Sequence, residues 1–326
     1  MNLDRRVAVG RGPIGDLAAG STAVVVASPV CATVTVLDPT SGLAGAGIAV
    51  PGEPVAVVAA EDRAYVATTS EGTDALSVID LDAREVLAVH PVAFGITALA
   101  VSPDGKRVYA ARTASDQVDV AVLDTVAERM GTIEVGYGPA ATIDALSVDP
   151  TGKSLYAGVT DASGSRLVVI DTETAQVARV IAVGSPIRDI ANAGGTVHVL
   201  TSDRAVGGAV HVIDLAAARI TGTVELGGAP TQLVMSPDRA RAYVVDYDHV
   251  AVVCTLTLEV VDSLSIGTRP SCVAVGADGC GLFIADYTGA VTVFSVESTI
   301  EMMYSQFLAT DPIPLSVPRA LQPAAV

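Results

Sequence analysis

Tryptophan is absent from this sequence, and aromatic residues together make up only 4% of it. Charged residues are also few, at 17%, and 36 acidic residues outnumber 19 Lys and Arg. A net charge of −17 gives no basic footprint for a phosphate backbone, so nucleic acid is not expected as a partner. Half of the residues are hydrophobic, which excludes an intrinsically disordered chain.

Cysteine is scarce as well. The four cysteines, Cys31, Cys254, Cys272 and Cys280, have neither the spacing of a zinc motif nor the density of a disulfide framework. We therefore expect free and mostly buried thiols in a reducing compartment, which favours the cytoplasm.

Long apolar runs are missing too. Arg5 and Arg6 are followed by only three apolar residues, whereas a signal peptide needs about 7–15 of them. The uncharged stretch 17–37 is interrupted by Gly20 and Pro29, so it predicts short strands rather than a membrane span. No export leader and no membrane span are expected.

A repeat is present instead. Two apolar residues followed by Asp recur at intervals of 42 to 47 residues, at Val36-Leu37-Asp38, Val78-Ile79-Asp80, Val122-Leu123-Asp124, Val169-Ile170-Asp171 and Val212-Ile213-Asp214. Cys254 and Ser295 replace the Asp in two further copies. A second marker keeps the same period, at Tyr65, Tyr109, Tyr156, His198, Tyr243 and Phe283. Two markers in step establish seven repeats.

Each repeat reads as four short strands. Apolar residues alternate or run in short blocks, and turn signals such as Ser102-Pro103-Asp104-Gly105 separate them. A helical repeat would instead show apolar residues at a spacing of three to four. Four antiparallel strands of this length form one blade of a β-propeller. The sequence therefore predicts an all-β fold, a seven-bladed β-propeller over residues 1–298.

The last repeat contains only three strands, at residues 272–275, 282–285 and 291–294. Residues 3–9 have the length and pattern of the fourth strand at 260–267. We predict that this N-terminal strand completes the last blade, because pairing the two ends removes the exposed edges of an open ring.

Residues 299–326 form a separate predicted segment. Ser298 and Glu301 are spaced as a capping box. The apolar residues that follow share one face of a helix, at Ile300, Met303, Tyr304, Phe307 and Leu308. We expect a short amphipathic helix and then an extended, Pro-containing tail. Two interpretations stay open: the helix packs on its own propeller, or it docks a protein partner.

The stretch 102–110, SPDGKRVYA, followed by the strand 120–124, resembles the YVTN-repeat family of seven-bladed propellers. The resemblance covers residues 1–298 and implies the propeller fold. In that family an Asn usually follows the Tyr, whereas Ala111 and Arg112 stand here.

The candidate site lies on loops that converge at the mouth of a propeller's central channel. The candidates are Arg188, Arg269, Asp246, Tyr247, Asp248, His249, Asp286 and Tyr287. Paired carboxylates with a His can perform acid–base chemistry or hold a metal ion. Alternatively, loop Asp residues bond their own backbone. Both interpretations stay open, and no cofactor motif is present.

The sequence carries no local catalytic signature. It therefore predicts a non-catalytic binding or scaffold protein that holds a protein or small-molecule ligand on the acidic loops around the channel. The alternative is a lactonase-like hydrolase or lyase with a site at the channel mouth. Convergence of the Arg and carboxylate side chains on one pocket would favour the enzyme, and splayed side chains would favour binding.

Overall fold

The computed structural model describes residues 1–93 and 95–296, which form seven four-stranded antiparallel sheets. The first blade contains β2 (Asp16–Ala19), β3 (Val24–Ser28), β4 (Thr33–Leu37) and β5 (Ile48–Ala49). The second contains β6 (Glu53–Ala60), β7 (Arg63–Thr69), β8 (Asp74–Asp80) and β9 (Glu85–Val92). The third contains β10 (Gly95–Val101), β11 (Arg107–Thr113), β12 (Gln117–Asp124) and β13 (Arg129–Tyr137).

The next three blades repeat this order. The fourth contains β14 (Thr142–Val148), β15 (Ser154–Asp161), β16 (Gly164–Asp171) and β17 (Gln176–Gly184). The fifth contains β18 (Ile187–Asn192), β19 (Thr196–Asp203), β20 (Gly207–Asp214) and β21 (Arg219–Gly227). The sixth contains β22 (Gln232–Met235), β23 (Arg241–Val245), β24 (Val250–Cys254) and β25 (Glu259–Leu264).

The seventh blade is built from both ends of the ring. It contains β26 (Pro270–Val275), β27 (Gly281–Asp286), β28 (Ala290–Ser295) and the N-terminal strand β1 (Asn2–Ala8). Strand β1 pairs antiparallel with β28, from Asn2 opposite Ser295 to Ala8 opposite Ala290. The predicted closure by the N-terminal strand is therefore confirmed.

The core is divided among the contacts between blades. Seven clusters of buried side chains lie one at each junction of neighbouring blades. One of them joins the last blade to the first, where Leu17 and Val24 pack with Ala274 and Val291. Because seven blades share seven junctions, the ring is closed, and the burial of apolar surface holds it together.

The Asp that marks the repeat has a structural role. In the third blade, Asp124 Oδ1 accepts hydrogen bonds from the backbone N–H groups of Val126 (3.0 Å) and Ala127 (2.7 Å). Asp38, Asp80, Asp171 and Asp214 make the same pair of bonds in their blades. The repeated Asp is thus the residue that opens the turn from the third strand to the fourth.

The candidate site lies on one face of the ring, which we call the loop face. It carries the loops between the second and third strands of each blade and the connections into the next innermost strand. These segments share a face because neighbouring strands run in opposite directions. In the last blade they touch, since the Tyr287 N–H donates to the Arg269 carbonyl at 3.2 Å.

The predicted C-terminal helix and tail, residues 299–326, lie outside the described residues. No helix of the described part of the chain is long and apolar enough to cross a membrane.

Candidate functional site

Asp246 follows β23, and its carboxylate is turned into its own loop. Only 6% of this residue is exposed, and its Oδ1 accepts the N–H groups of Ala229 (2.9 Å) and Tyr247 (2.6 Å). Gly228 lies against the carboxylate at a positive φ, where the Cβ of any other residue would overlap with it. This Asp fixes the two loops of the sixth blade and does not face a ligand.

Asp286 is the last residue of β27, at the start of the corresponding loop of the seventh blade, and is fully buried. It accepts hydrogen bonds from Thr268 Oγ1 (2.8 Å), from Thr288 Oγ1 (2.7 Å) and from the Arg6 guanidinium (2.7 Å). Burial alone would raise the pKa of Asp286, but the hydrogen bonds from Thr288, Ala290 and Thr268 together hold it below its usual range. The carboxylate thus anchors the closing strand β1 to the seventh blade.

Tyr247, Arg269 and Tyr287 do come together, in an arrangement that we call the Tyr–Arg–Tyr stack. The Arg269 guanidinium carbon lies 4.8 Å from the centre of the Tyr247 ring and 4.4 Å from that of Tyr287. All three residues are exposed on the loop face. Among the described residues, no side-chain acceptor or carboxylate pairs with the Arg269 guanidinium. Its hydrogen-bond donors therefore face solvent.

Asp248 and His249 form a small pair beside the stack. His249 Nδ1 lies 2.8 Å from Asp248 Oδ1, and the Asp248 side chain is 77% exposed. The Asp246 N–H donates to the His249 carbonyl at 2.9 Å, but the carboxylates of Asp246 and Asp286 are buried in their own loops. The six predicted residues of these two loops therefore divide into structural carboxylates, an aromatic pair and an exposed Asp–His pair.

Arg188 lies apart from these residues, at the mouth of the central channel. The channel is a cavity of about 520 Å³ that the innermost strands of all seven blades line. In several of these strands a β-bulge at the mouth shifts the register with the second strand by one residue, as between Ile187 and Asp189. Arg188 is the bulged residue and lines the channel, whereas Arg269 does not line it.

The channel contains polar residues that the sequence reasoning missed. Asp16 Oδ2 accepts the N–H of Val57 in the next blade at 2.8 Å. Asp189 Oδ2 accepts the N–H of Leu233 in the same way, also at 2.8 Å. Gln232 Oε1 accepts the N–H of Val273 at 2.7 Å. All three side chains occupy the same position of the innermost strand, opposite Ala27, Leu200 and Val245 of the second strand, and this common position is the signal that aligning the repeats would have revealed.

Metal binding and thiol chemistry receive no support in the described residues. No group of three or more His, Cys, Asp or Glu side chains there is placed to hold a metal ion. All four cysteines are free, but Cys31 and Cys280 are exposed, so the expectation of mostly buried thiols was wrong. Cys31 ends a short 3-10 helix, Pro29–Cys31, and Cys280 lies in the turn between β26 and β27.

The fold and the loop face together define a closed seven-bladed β-propeller with an exposed Tyr–Arg–Tyr stack and a polar channel. The seven-bladed beta-propeller protein Rv1057 of Mycobacterium tuberculosis is 34% identical to the chain, over 90% of this chain and 85% of that protein. A seven-bladed beta-propeller protein of Mycolicibacterium smegmatis is 48% identical, over 94% and 84% respectively. The chain belongs to this family of seven-bladed β-propeller proteins.

Two further comparisons concern the fold. A solved structure of Kuenenia stuttgartiensis hydrazine synthase matches with a TM-score of 0.78 at 18% identity, covering 89% of this chain and 97% of that chain. At this identity the likeness concerns the fold alone. No family model matches the chain.

Proposed function

We propose that the protein is a non-catalytic binding protein that docks an acidic segment of a partner protein on the Tyr–Arg–Tyr stack of its loop face. The observation that carries this proposal is the exposed Arg269 guanidinium over two tyrosine rings, at 4.4 and 4.8 Å from their centres. Tyr and Arg are the residue types that most often dominate the energy of protein interfaces.

The geometry of the stack favours a carboxylate as the bound group. The guanidinium lies over the Tyr247 and Tyr287 rings, and among the described residues its N–H donors have no side-chain acceptor, so they are open to a partner. A planar fork of donors matches the two oxygens of a carboxylate, and holding it in place beforehand reduces the entropy lost on binding. An acidic side chain or a chain terminus fits this edge.

Charge supports the same ligand class. The protein carries a net charge of −17, yet the stack presents an unpaired cation on this face. The two nearest buried carboxylates, those of Asp246 and Asp286, accept hydrogen bonds within their own loops. The net negative charge of the protein repels acidic partners in general. An acidic partner can therefore bind only where one of its carboxylates pairs with the Arg269 guanidinium.

The enzymatic alternative receives less support. A hydrolase or lyase needs an acid, a base and a substrate pocket within reach of one another. Here Arg188 lies in the channel, Arg269 lies over the Tyr247 and Tyr287 rings, and the Asp248–His249 pair is exposed. The side chains are splayed rather than converged, which favours binding.

Fluorescence anisotropy with labelled twelve-residue peptides tests the proposal. Peptides with several Asp and Glu residues should bind, and the same peptides with Asn and Gln in their place should bind at least tenfold more weakly. Arg269→Gln should reduce the affinity for acidic peptides by roughly tenfold or more, the scale of a lost charged hydrogen-bond pair. Arg269→Lys should fail to restore it, because an ammonium group is not planar.

The matched control is Arg204→Gln. Arg204 is also an exposed arginine on the loop face, in the loop between β19 and β20, but it has no aromatic neighbour in contact with it among the described residues. Equal losses in the Arg204 and Arg269 variants would mean that only net charge matters and would contradict the proposal. So would equal binding of acidic and neutral peptides.

A further inference from the structure

One side chain from each innermost strand forms a ring inside the channel, one residue inward from the mouth. Its members, in blade order, are Asp16, Ala56, Ala98, Ala145, Asp189, Gln232 and Cys272. The polar members come from the fifth, sixth, seventh and first blades, which are neighbours in the closed ring. The three alanines come from the second, third and fourth blades. At this level the channel has one polar wall and one apolar wall, whereas Thr97 and Asp144 line it one residue closer to the mouth.

The carboxylates of the polar wall are held rigidly. Asp16 accepts the N–H groups of Leu17 and Val57, one on each oxygen, both at 2.8 Å. Asp189 accepts those of Ile190 and Leu233 in the same manner, also at 2.8 Å. Gln232 Nε2 also donates to Asp16 Oδ1 at 3.5 Å, so Asp16 Oδ2 and both oxygens of Asp189 keep a second lone pair for a further donor. No ion pair among the described residues includes either carboxylate.

The two carboxylates resist ionisation in this setting. Burial raises the pKa of Asp16 to about 6. Burial raises the pKa of Asp189 to about 7, and the charge of Asp16 adds to this rise. The other titratable or charged groups lining the channel are Asp144, Arg188 and Cys272, and burial also raises the pKa of the Cys272 thiol. A positive group between the two carboxylates would favour their ionised forms, because it would offset both the effect of burial and the repulsion between the two negative charges.

The dimensions of the channel suit a small molecule. Its volume, about 520 Å³, falls in the range of roughly 300–1,000 Å³ that is usual for ligand pockets. Ala56, Ala98 and Ala145 leave space on the apolar wall, where larger side chains would fill the channel. Arg188 at the mouth disfavours a second positive charge on the ligand.

We propose that the central channel binds a small organic cation with one ammonium group and an apolar body. The ammonium group donates hydrogen bonds to Asp16 and Asp189, and the apolar body packs on the alanine wall. This site differs from the Tyr–Arg–Tyr stack in position, in the sign of its charge and in ligand class.

Isothermal titration calorimetry with 3-methylbutylamine at pH 8 tests the proposal. The amine should bind at least tenfold more tightly than 3-methylbutanol, which has the same apolar body without the charge. Lowering the pH from 8 to 5 should weaken amine binding at least tenfold, because both carboxylates then take up protons. These measurements need only the protein without substitutions. Failure of the amine to bind, or equal binding of amine and alcohol, would overturn the proposal.

Variants then locate the site. Asp189→Asn keeps an acceptor for the Leu233 N–H and should reduce amine affinity at least tenfold at pH 8. Ala98→Leu should block the apolar wall without a change of charge. Asp262→Asn, on the exposed strand β25, is the matched control and should leave binding unchanged. Arg269→Gln should also have no effect, so the outcome is independent of the stack. Amine binding that survives both channel variants in folded protein would overturn the proposal.

Discussion

Single residues in left-handed conformation end the turn between the third and fourth strands in most blades. The fourth residue after the turn's Asp or Cys has a positive φ in six blades, at Gly42, Arg84, Glu128, Ala175, Ala218 and Leu258. Only the first of these is glycine, although a side chain in this region costs roughly 1–2 kcal/mol. The regular geometry of the blade therefore imposes the conformation on residues that do not favour it.

This strain predicts a stabilising substitution. Ala218, at φ 51°, should be replaced by Gly with a gain of about 0.5–1 kcal/mol in the free energy of unfolding, because Gly adopts this conformation without a clash. Urea denaturation measures the change. Ala217→Gly in the same turn is the control, since Ala217 lacks a positive φ and should gain nothing. A loss of stability in Ala218→Gly would contradict the argument.

The roles of individual Asp residues show which part of the candidate site the sequence alone could predict. The repeated Asp was correctly interpreted as a turn residue, because its role depends on the next three residues only. The same local role applies to Asp246 and Asp286, which were candidates for binding. Local sequence cannot distinguish them from ligand-facing carboxylates, because the deciding partners, Ala229 and Arg6, lie in distant parts of the chain.

At the level of elements, the closing strand β1 depends on one side chain more than on its neighbours. Arg6 donates to the fully buried carboxylate of Asp286 at 2.7 Å and to Thr288 at 3.1 Å. Among the described residues, the one ion pair of the adjacent Arg5 is with the exposed Asp4 in its own strand, and its charge also helps to lower the pKa of the exposed Asp38. The two arginines therefore provide a matched comparison within a single strand.

We expect Arg6→Ala to lower the free energy of unfolding by about 1–2 kcal/mol, because Asp286 loses a charged donor while it stays buried. Arg5→Ala should change it by less than about 0.5 kcal/mol, since an exposed ion pair contributes little. Thermal denaturation of both variants under the same conditions measures the difference. Equal effects of the two substitutions would show that Asp286 does not anchor the strand.

The elements themselves were the most predictable part of the fold. Blade number, four strands per blade and the closing strand all followed from the repeat, because a propeller blade is built from local hairpins. The bulges at the channel mouth were not predicted, since an extra residue in one strand leaves the apolar pattern almost unchanged. Such a bulge precedes Asp189, whereas Asp16 and Gln232 begin strands without one, and no apolar pattern marks any of the three as facing the channel.

For the whole molecule, the channel carboxylates couple stability to pH. The pKa values of Asp16 and Asp189 in the folded protein, about 6 and about 7, lie above the value of an unfolded Asp. The folded state therefore binds more protons, and this stabilisation is fully present below the ordinary pKa of Asp and is lost as the pH rises through 6 and 7. Surface residues such as Asp161, with a pKa of about 2, act only at lower pH.

Stability should thus increase as the pH falls from 8 to 5, by roughly 1–3 kcal/mol for shifts of this size. Urea midpoints measured at both pH values test this. The Asp16→Asn, Asp189→Asn double variant should show a flatter dependence over the same range, which separates the channel from the general charge of the protein. A folded protein more stable at pH 8 than at pH 5 would contradict the assignment.

Because the seventh blade contains both the first and the last strand of the ring, it can be completed only after the last strand has been synthesised. Asn2 leaves the ribosome before its partner Ser295, which follows 293 residues later. At roughly 5–20 residues per second, β1 must wait about 15–60 s before it can pair. During this time six complete blades have the chance to form, while an unpaired N-terminal strand remains open to capture by other chains. Its charged sequence, with Asp4, Arg5 and Arg6 in succession, protects it during this wait.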